Sequence, residues 1–123
     1  MIPEKLLDVM QHEGVVAIVT QGENEPHLVN TWNSYLTLST DHRLLIPAGG
    51  MHTTEANIAN NPNVLLTVGS REVSGMRGPG TGFLIRGKAA FVTSGPDYDG
   101  MKAKFAWMRA VLAITIESVT QTL

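Results

Sequence analysis

Two stretches of this 123-residue chain place polar groups where an ordinary strand or turn has no need of them. The first is His27-Leu28-Val29-Asn30-Thr31-Trp32-Asn33-Ser34-Tyr35, whose even positions set Asn30, Trp32 and Ser34 in one row with Leu28, Leu36 and Leu38. If that row faces the interior of a barrel, the amide and the hydroxyl need partners, because a buried polar group left unpaired costs about 1–3 kcal/mol. A bound ligand would supply them, and so would neighbouring backbone at a twisted barrel corner. Trp32 weights the row toward a flat heteroaromatic ring that stacks on an indole and offers acceptors. The second stretch is Pro47-Ala48-Gly49-Gly50-Met51-His52-Thr53-Thr54-Glu55, with glycines just ahead of a helix start that carries hydroxyls. Free N–H groups and the helix dipole converge at such a start, which suits a phosphate. Simple N-capping is the plainer use of Thr53 or Thr54. Together the stretches describe a ligand with a flat ring at one end and a phosphate at the other, a description that flavin mononucleotide (FMN) meets.

Other chemistries lack their residues. With no cysteine there is no disulfide, thiolate zinc site, iron–sulfur cluster or thiol nucleophile, and a reducing, cytoplasmic setting is expected. Gly78, Gly80 and Gly82 miss the dinucleotide fingerprint, since the third glycine comes one residue early and the loop precedes a strand. There is no GxxxxGK[ST], HExxH or GxSxG, and His12, His27, His42 and His52 are scattered. No metal site and no catalytic residue is nominated. Nine Lys plus Arg against eleven acids, with a net charge of -2, argue against nucleic acid.

The elements that must position these residues read as a mainly β domain spanning 1–123. A short helix with Pro3 at its first position carries Leu6, Leu7 and Met10 and ends at Gly14. Strands are expected at 15–20, 27–38, 44–47, 64–69, 83–92 and 110–117, the first two as a hairpin. Helices are expected at 54–60 and from Pro96 to about residue 105, and 75–82, with four glycines and Pro79, as a mobile loop. Phe83, Ile85, Ala89 and Phe91 alternate with Arg86 and Lys88, and Gly87 suggests a bulge. Six strands with short helices suggest a small closed or half-open β-barrel. The longest apolar runs are far below the roughly 18 residues of a membrane span, so no membrane partner is expected. Charge is uneven: residues 1–70 hold seven acids and two bases (-5), residues 71–123 four acids and seven bases (+3).

Gly14-Val15-Val16-Ala17-Ile18, the 27–35 string, Gly49-Gly50-Met51-His52, Thr54-Glu55-Ala56-Asn57, Gly78-Pro79-Gly80-Thr81-Gly82-Phe83-Leu84-Ile85-Arg86-Gly87 and Gln121-Thr122-Leu123 together resemble the small FMN-binding proteins of the pyridoxamine 5'-phosphate oxidase-like split-barrel group. The likeness runs essentially end to end. It implies a homodimeric six-stranded split β-barrel with FMN near the subunit interface, acting in electron transfer with a small-molecule or protein redox partner. By the same resemblance, Asn30 and Thr31 would bond the flavin or its ribityl chain, and Trp32 would line the ring. Pro47, Gly49 and Gly50 would pass along the cofactor, and Thr54 would bind phosphate. Tyr35 and Trp107 would be further aromatic groups near the ring, and Glu13 a negative charge beside it. Regular alternation sets Tyr35 opposite Trp32, so its place there needs a bulge, a twist or the partner chain. One departure stands out. Where the group usually has Lys before the phosphate-binding Thr, this chain has Thr53, with His52, Arg71 or Arg86 to compensate and Arg71 the favourite. A cation exchanged for a hydroxyl is worth about 1 kcal/mol, or roughly fivefold, so a weakened preference for FMN over riboflavin is expected. An NAD(P)H-dependent flavin reductase, a pyridoxamine phosphate oxidase and a flavin-binding module without turnover are the alternatives; the oxidase is disfavoured by the short chain and the lack of an Arg and His pair for a second phosphate.

Overall fold

A computed structural model describes residues 2–123. The elements, in order, are α1 (Glu4–Met10), β1 (Val15–Gln21), β2 (Pro26–Trp32), a 3-10 turn (Asn33–Tyr35), β3 (Thr37–Leu38), β4 (Arg43–Ala48), α2 (His52–Asn60), β5 (Asn63–Ser74), β6 (Pro79–Val92), α3 (Pro96–Lys104) and β7 (Ala110–Gln121). The seven strands form one antiparallel sheet in the order β2-β1-β5-β6-β7-β4-β3, curled into a half-barrel with β2 and β3 at its free edges. The seventh strand arises because the expected strand 27–38 is broken by the 3-10 turn.

The inner face is the core: Val16 and Ile18 of β1, Val64, Leu66 and Val68 of β5, Phe83 and Ile85 of β6, Leu112 and Ile114 of β7, closed by Leu6 and Val9 of α1 and Ile58 of α2. A smaller cluster of Leu45, Met101, Met108, Val111 and Ala113 fixes α3 behind β4 and β7. The alternation of β6 stands as read, with Phe83, Ile85 and Ala89 buried and Arg86 and Lys88 exposed. Its bulge stands too: the β6–β7 register shifts between Arg86 and Gly87. A Cβ at Gly87 would come within 2.7 Å of Ile114 Cγ2, so only glycine lets the strands close here.

Two expectations are corrected. The expected loop over 75–82 is confined to 75–78, where Gly75 N–H donates to Gly78 O at 2.7 Å, because β6 already begins at Pro79, paired with Ser74. The glycines allow close passage, since a Cβ on Gly75 would meet Leu123 O at 2.9 Å. The Leu28-Asn30-Trp32 row, in turn, points outward. Val16 pairs Thr31 and Ile18 pairs Val29, so those β2 residues share the core face of β1, while Leu28 is 63% and Trp32 45% exposed. Ser34, beyond the break, is exposed as well, so neither it nor Asn30 is the buried orphan that the row suggested.

Candidate functional site

The break at the end of β2 is made by Asn33, which is fully buried. Its Nδ2 donates to His12 O at 2.9 Å, Gly69 O at 2.8 Å and Val9 O at 3.4 Å, and its N–H donates to Gly14 O at 2.9 Å. An amide whose two protons bridge the α1–β1 link and β5, with α1 at the limit of reach, holds the chain in the turn and reverses the alternation, its Oδ1 left buried without a partner among the described residues. Tyr35 therefore meets Phe105 (centroids 5.3 Å) and Trp107 (5.6 Å), which lie 5.8 Å apart, without help from another chain. Trp107 lies over the second chemical stretch, since a Cβ on Gly49 would approach its Cε3 to 3.2 Å.

That stretch forms a corner between β4 and α2. Pro47 and Ala48 are buried at the end of β4, Met51 takes a left-handed φ of 60°, and α2 begins at His52. Two features of the corner are unexplained by the fold itself. Gly50 needs to be glycine for no internal reason: its φ is not positive, and a Cβ there would meet nothing within 4 Å. Thr54 is fully buried in the first turn of α2, and its Oγ1 has no hydrogen-bond partner among the described residues. A bare backbone and an orphaned hydroxyl at a helix start fit the phosphate end of the expected FMN. N-capping does not account for the threonines, because the N-cap is Met51 and no side chain caps the helix.

The remaining expected residues lie on other elements. Asn30, Thr31 and Trp32 lie on β2, the free edge strand, and α2 packs against β1, β2 and β6. Asn30 Nδ2 reaches Val16 O at 3.4 Å, and Thr31 is buried. Thr53 is exposed and lines a cavity of about 290 Å³ with His27, Glu23, Glu25 and Asn57. Glu13 stands apart, in a cavity of about 850 Å³ with Val15, Arg71 and Leu123. Its carboxylate accepts from Ser34 Oγ at 2.7 Å, Ser34 N–H at 3.1 Å and Gly14 N–H at 3.2 Å, and the Ser34 bonds, the hydroxyl's first, hold its pKa below the usual 4.5.

Arg71 thus lines the Glu13 cavity, and Arg86 lines another with Glu117, rather than the corner where Lys would have stood. The arginine at the corner is one that no motif signalled. Arg109 donates from Nε to Gly49 O (3.1 Å) and Gly50 O (3.0 Å) and from Nη2 to Gly50 O (2.7 Å), and its Nη1 pairs with Glu55 at 2.9 Å. Phe105 was likewise unmarked in the sequence. No group of three or more possible metal ligands occurs among the described residues.

Residues 2–123 match the pyridoxamine 5'-phosphate oxidase family. The chain is 58% identical over 123 residues, all of both chains, to a protein of Nitratidesulfovibrio vulgaris (strain DSM 19637 / Miyazaki F) named FMN-binding protein. Among solved structures, it superposes on HupZ of Group A Streptococcus with a TM-score of 0.80 at 19% identity, covering 98% of this chain and 94% of that one. An FMN-binding protein from Syntrophomonas wolfei gives 0.73 at 15% identity, covering 98% and 85%. At those identities the structural likeness shows the fold.

Proposed function

The chain belongs to the pyridoxamine 5'-phosphate oxidase family, and on that premise we propose that it binds FMN and serves as an electron-transfer protein. The observation that carries this reading is the β4–α2 corner, where Gly50 leaves the backbone bare and the buried Thr54 hydroxyl waits without a partner. The phosphate would sit at that helix start. The ring would lie between the free edge of β2 and the aromatic wall of Tyr35 and Trp107, with Trp32 and Asn30 reaching it from the outer face of the edge strand. The 58% identical FMN-binding protein supports FMN as the flavin.

When bound, the cofactor supplies redox chemistry to a chain that has no thiol of its own. The residues of the chain bind and orient it and exclude water from part of its face. Because no acid–base dyad accompanies the corner, a carrier is favoured over a dedicated oxidase. Trp32 and Trp107, 45% and 53% exposed in the single chain, would be covered by the flavin and by a second copy in a homodimer.

Purified protein should be yellow, and its apoprotein should bind FMN with quenching of flavin fluorescence. Trp32→Ala should weaken binding and restore emission. A colourless preparation that takes up no flavin would end the proposal. Flavin-loaded protein mixed anaerobically with NADH, NADPH or a reduced carrier separates the remaining readings: single reduction by a carrier supports electron transfer, and steady oxidation of a nicotinamide supports a reductase.

A further inference from the structure

We propose that Arg109 and Glu55 form a charge pair that sets how strongly the β4–α2 corner prefers a phosphorylated flavin to an unphosphorylated one. This rests on the flavin reading above and goes beyond it by assigning phosphate selectivity to residues outside the expected set.

Arg109 is held at several points while one side stays open to solvent. Its own N–H donates to Ala48 O at 2.8 Å, and its guanidinium lies 5.6 Å from the Phe91 ring centroid while contacting Gly49, Gly50 and Glu55. Two consequences follow from this clamp. In a trans peptide the carbonyl of one residue and the N–H of the next point in opposite directions. With the Gly49 and Gly50 carbonyls turned to Arg109, the N–H groups of Gly50 and Met51 point away from it. Neither donates a hydrogen bond among the described residues. Two successive free N–H groups ahead of a left-handed residue are donors available to an anion. The unpartnered Thr54 Oγ1 stands in the turn that follows.

The second consequence is electrostatic. Glu55 lies in the first turn of α2, where its negative charge would oppose an incoming phosphate. The 2.9 Å contact with Arg109 offsets that charge and draws the carboxylate toward β7. Arg109 therefore acts through the backbone and through Glu55 as a positioning residue, removing a repulsion at the corner rather than supplying the cation missing at Thr53.

The test is titration of four apoproteins, wild type, Arg109→Met, Glu55→Gln and the double variant, with FMN and with riboflavin, read as the ratio of the two affinities. Arg109→Met should lower that ratio about tenfold, because it frees the carbonyls and exposes the Glu55 charge. Glu55→Gln should raise it a few fold, and in the double variant should recover part of the loss. Equal losses for both flavins in Arg109→Met would reduce Arg109 to a structural role and overturn the proposal. So would a ratio unmoved by Glu55→Gln, a variant that keeps the test open if Arg109→Met fails to fold. If wild type binds neither flavin, the flavin reading falls and takes this one with it; if it binds both and the ratios do not move, this one falls alone.

Discussion

At Gly50 the local backbone would accept a side chain and the proposed ligand would not. Gly50→Ala should keep the stability of the wild type within about 0.5 kcal/mol, the range of substitutions that touch nothing, while weakening FMN binding tenfold or more. Thermal unfolding of the apoprotein and a flavin titration check the two halves separately. Glu13 carries a prediction of a different kind. Its folded pKa is lowered by Ser34, so the stability it contributes is present above the ordinary carboxylate value of 4.5 and is lost as pH falls through the lowered one. The stability difference between wild type and Glu13→Gln should therefore be constant across neutral pH and shrink only in acid, as followed by denaturant unfolding over a pH series. Gly50 and Thr54 could be marked from sequence because glycines just ahead of a hydroxyl-bearing helix start are a local pattern, whereas the row of Asn30 and Trp32 was marked on an inward facing that the fold does not have. Arg109 could not be marked. It acts on glycine carbonyls sixty residues away through a strand pairing of β4 with β7, and no local pattern records that.

Among the elements, β6 was legible because its two faces differ in polarity, and the bulge because a glycine interrupted an otherwise regular alternation. Gly87→Ala should cost about 1–3 kcal/mol, as overpacking does, since its new methyl would collide with Ile114. Urea unfolding would measure it, and an unaltered midpoint would mean that the bulge relaxes freely. The outward turn of the Asn30 row was not legible. β1 is apolar on both faces, with Val15, Ala17 and Val19 opposite Val16 and Ile18, so its sequence did not say which face meets the core, and β2 takes its facing from β1. The 3-10 break was hidden for a related reason. Asn33 reads as one more polar residue in a strand until α1 and β5 bring three carbonyls to it. In the 75–82 hairpin, glycine composition suggested freedom, whereas Gly75 and Gly82 pack close to the last residues of the chain and Gly78 and Gly80 take the positive φ of the turn and strand start.

For the whole molecule, the half-barrel leaves Val15 (51% exposed), Leu28 and Trp32 on the outer face of the β1–β2 hairpin. An apolar face of this kind on a small chain suits a second copy, as the family resemblance implies, and the -5 and +3 halves offer complementary charge across a twofold axis. Leu28→Lys should shift the protein toward monomer in sizing experiments and weaken flavin binding with it. If charge helps hold the proposed dimer, high salt should loosen it, and a dimer indifferent to salt would assign the association to the apolar face alone. The two exposed indoles have a practical consequence as well. The chain has only two tryptophans, Trp32 on the edge strand and Trp107 over Gly49, and neither is spent in the core. Their emission reports on the two surfaces that the proposed ligand would touch, without background from the interior. Substituting one at a time would turn the protein into its own unlabelled stopwatch, able to show which wall the arriving ligand reaches first.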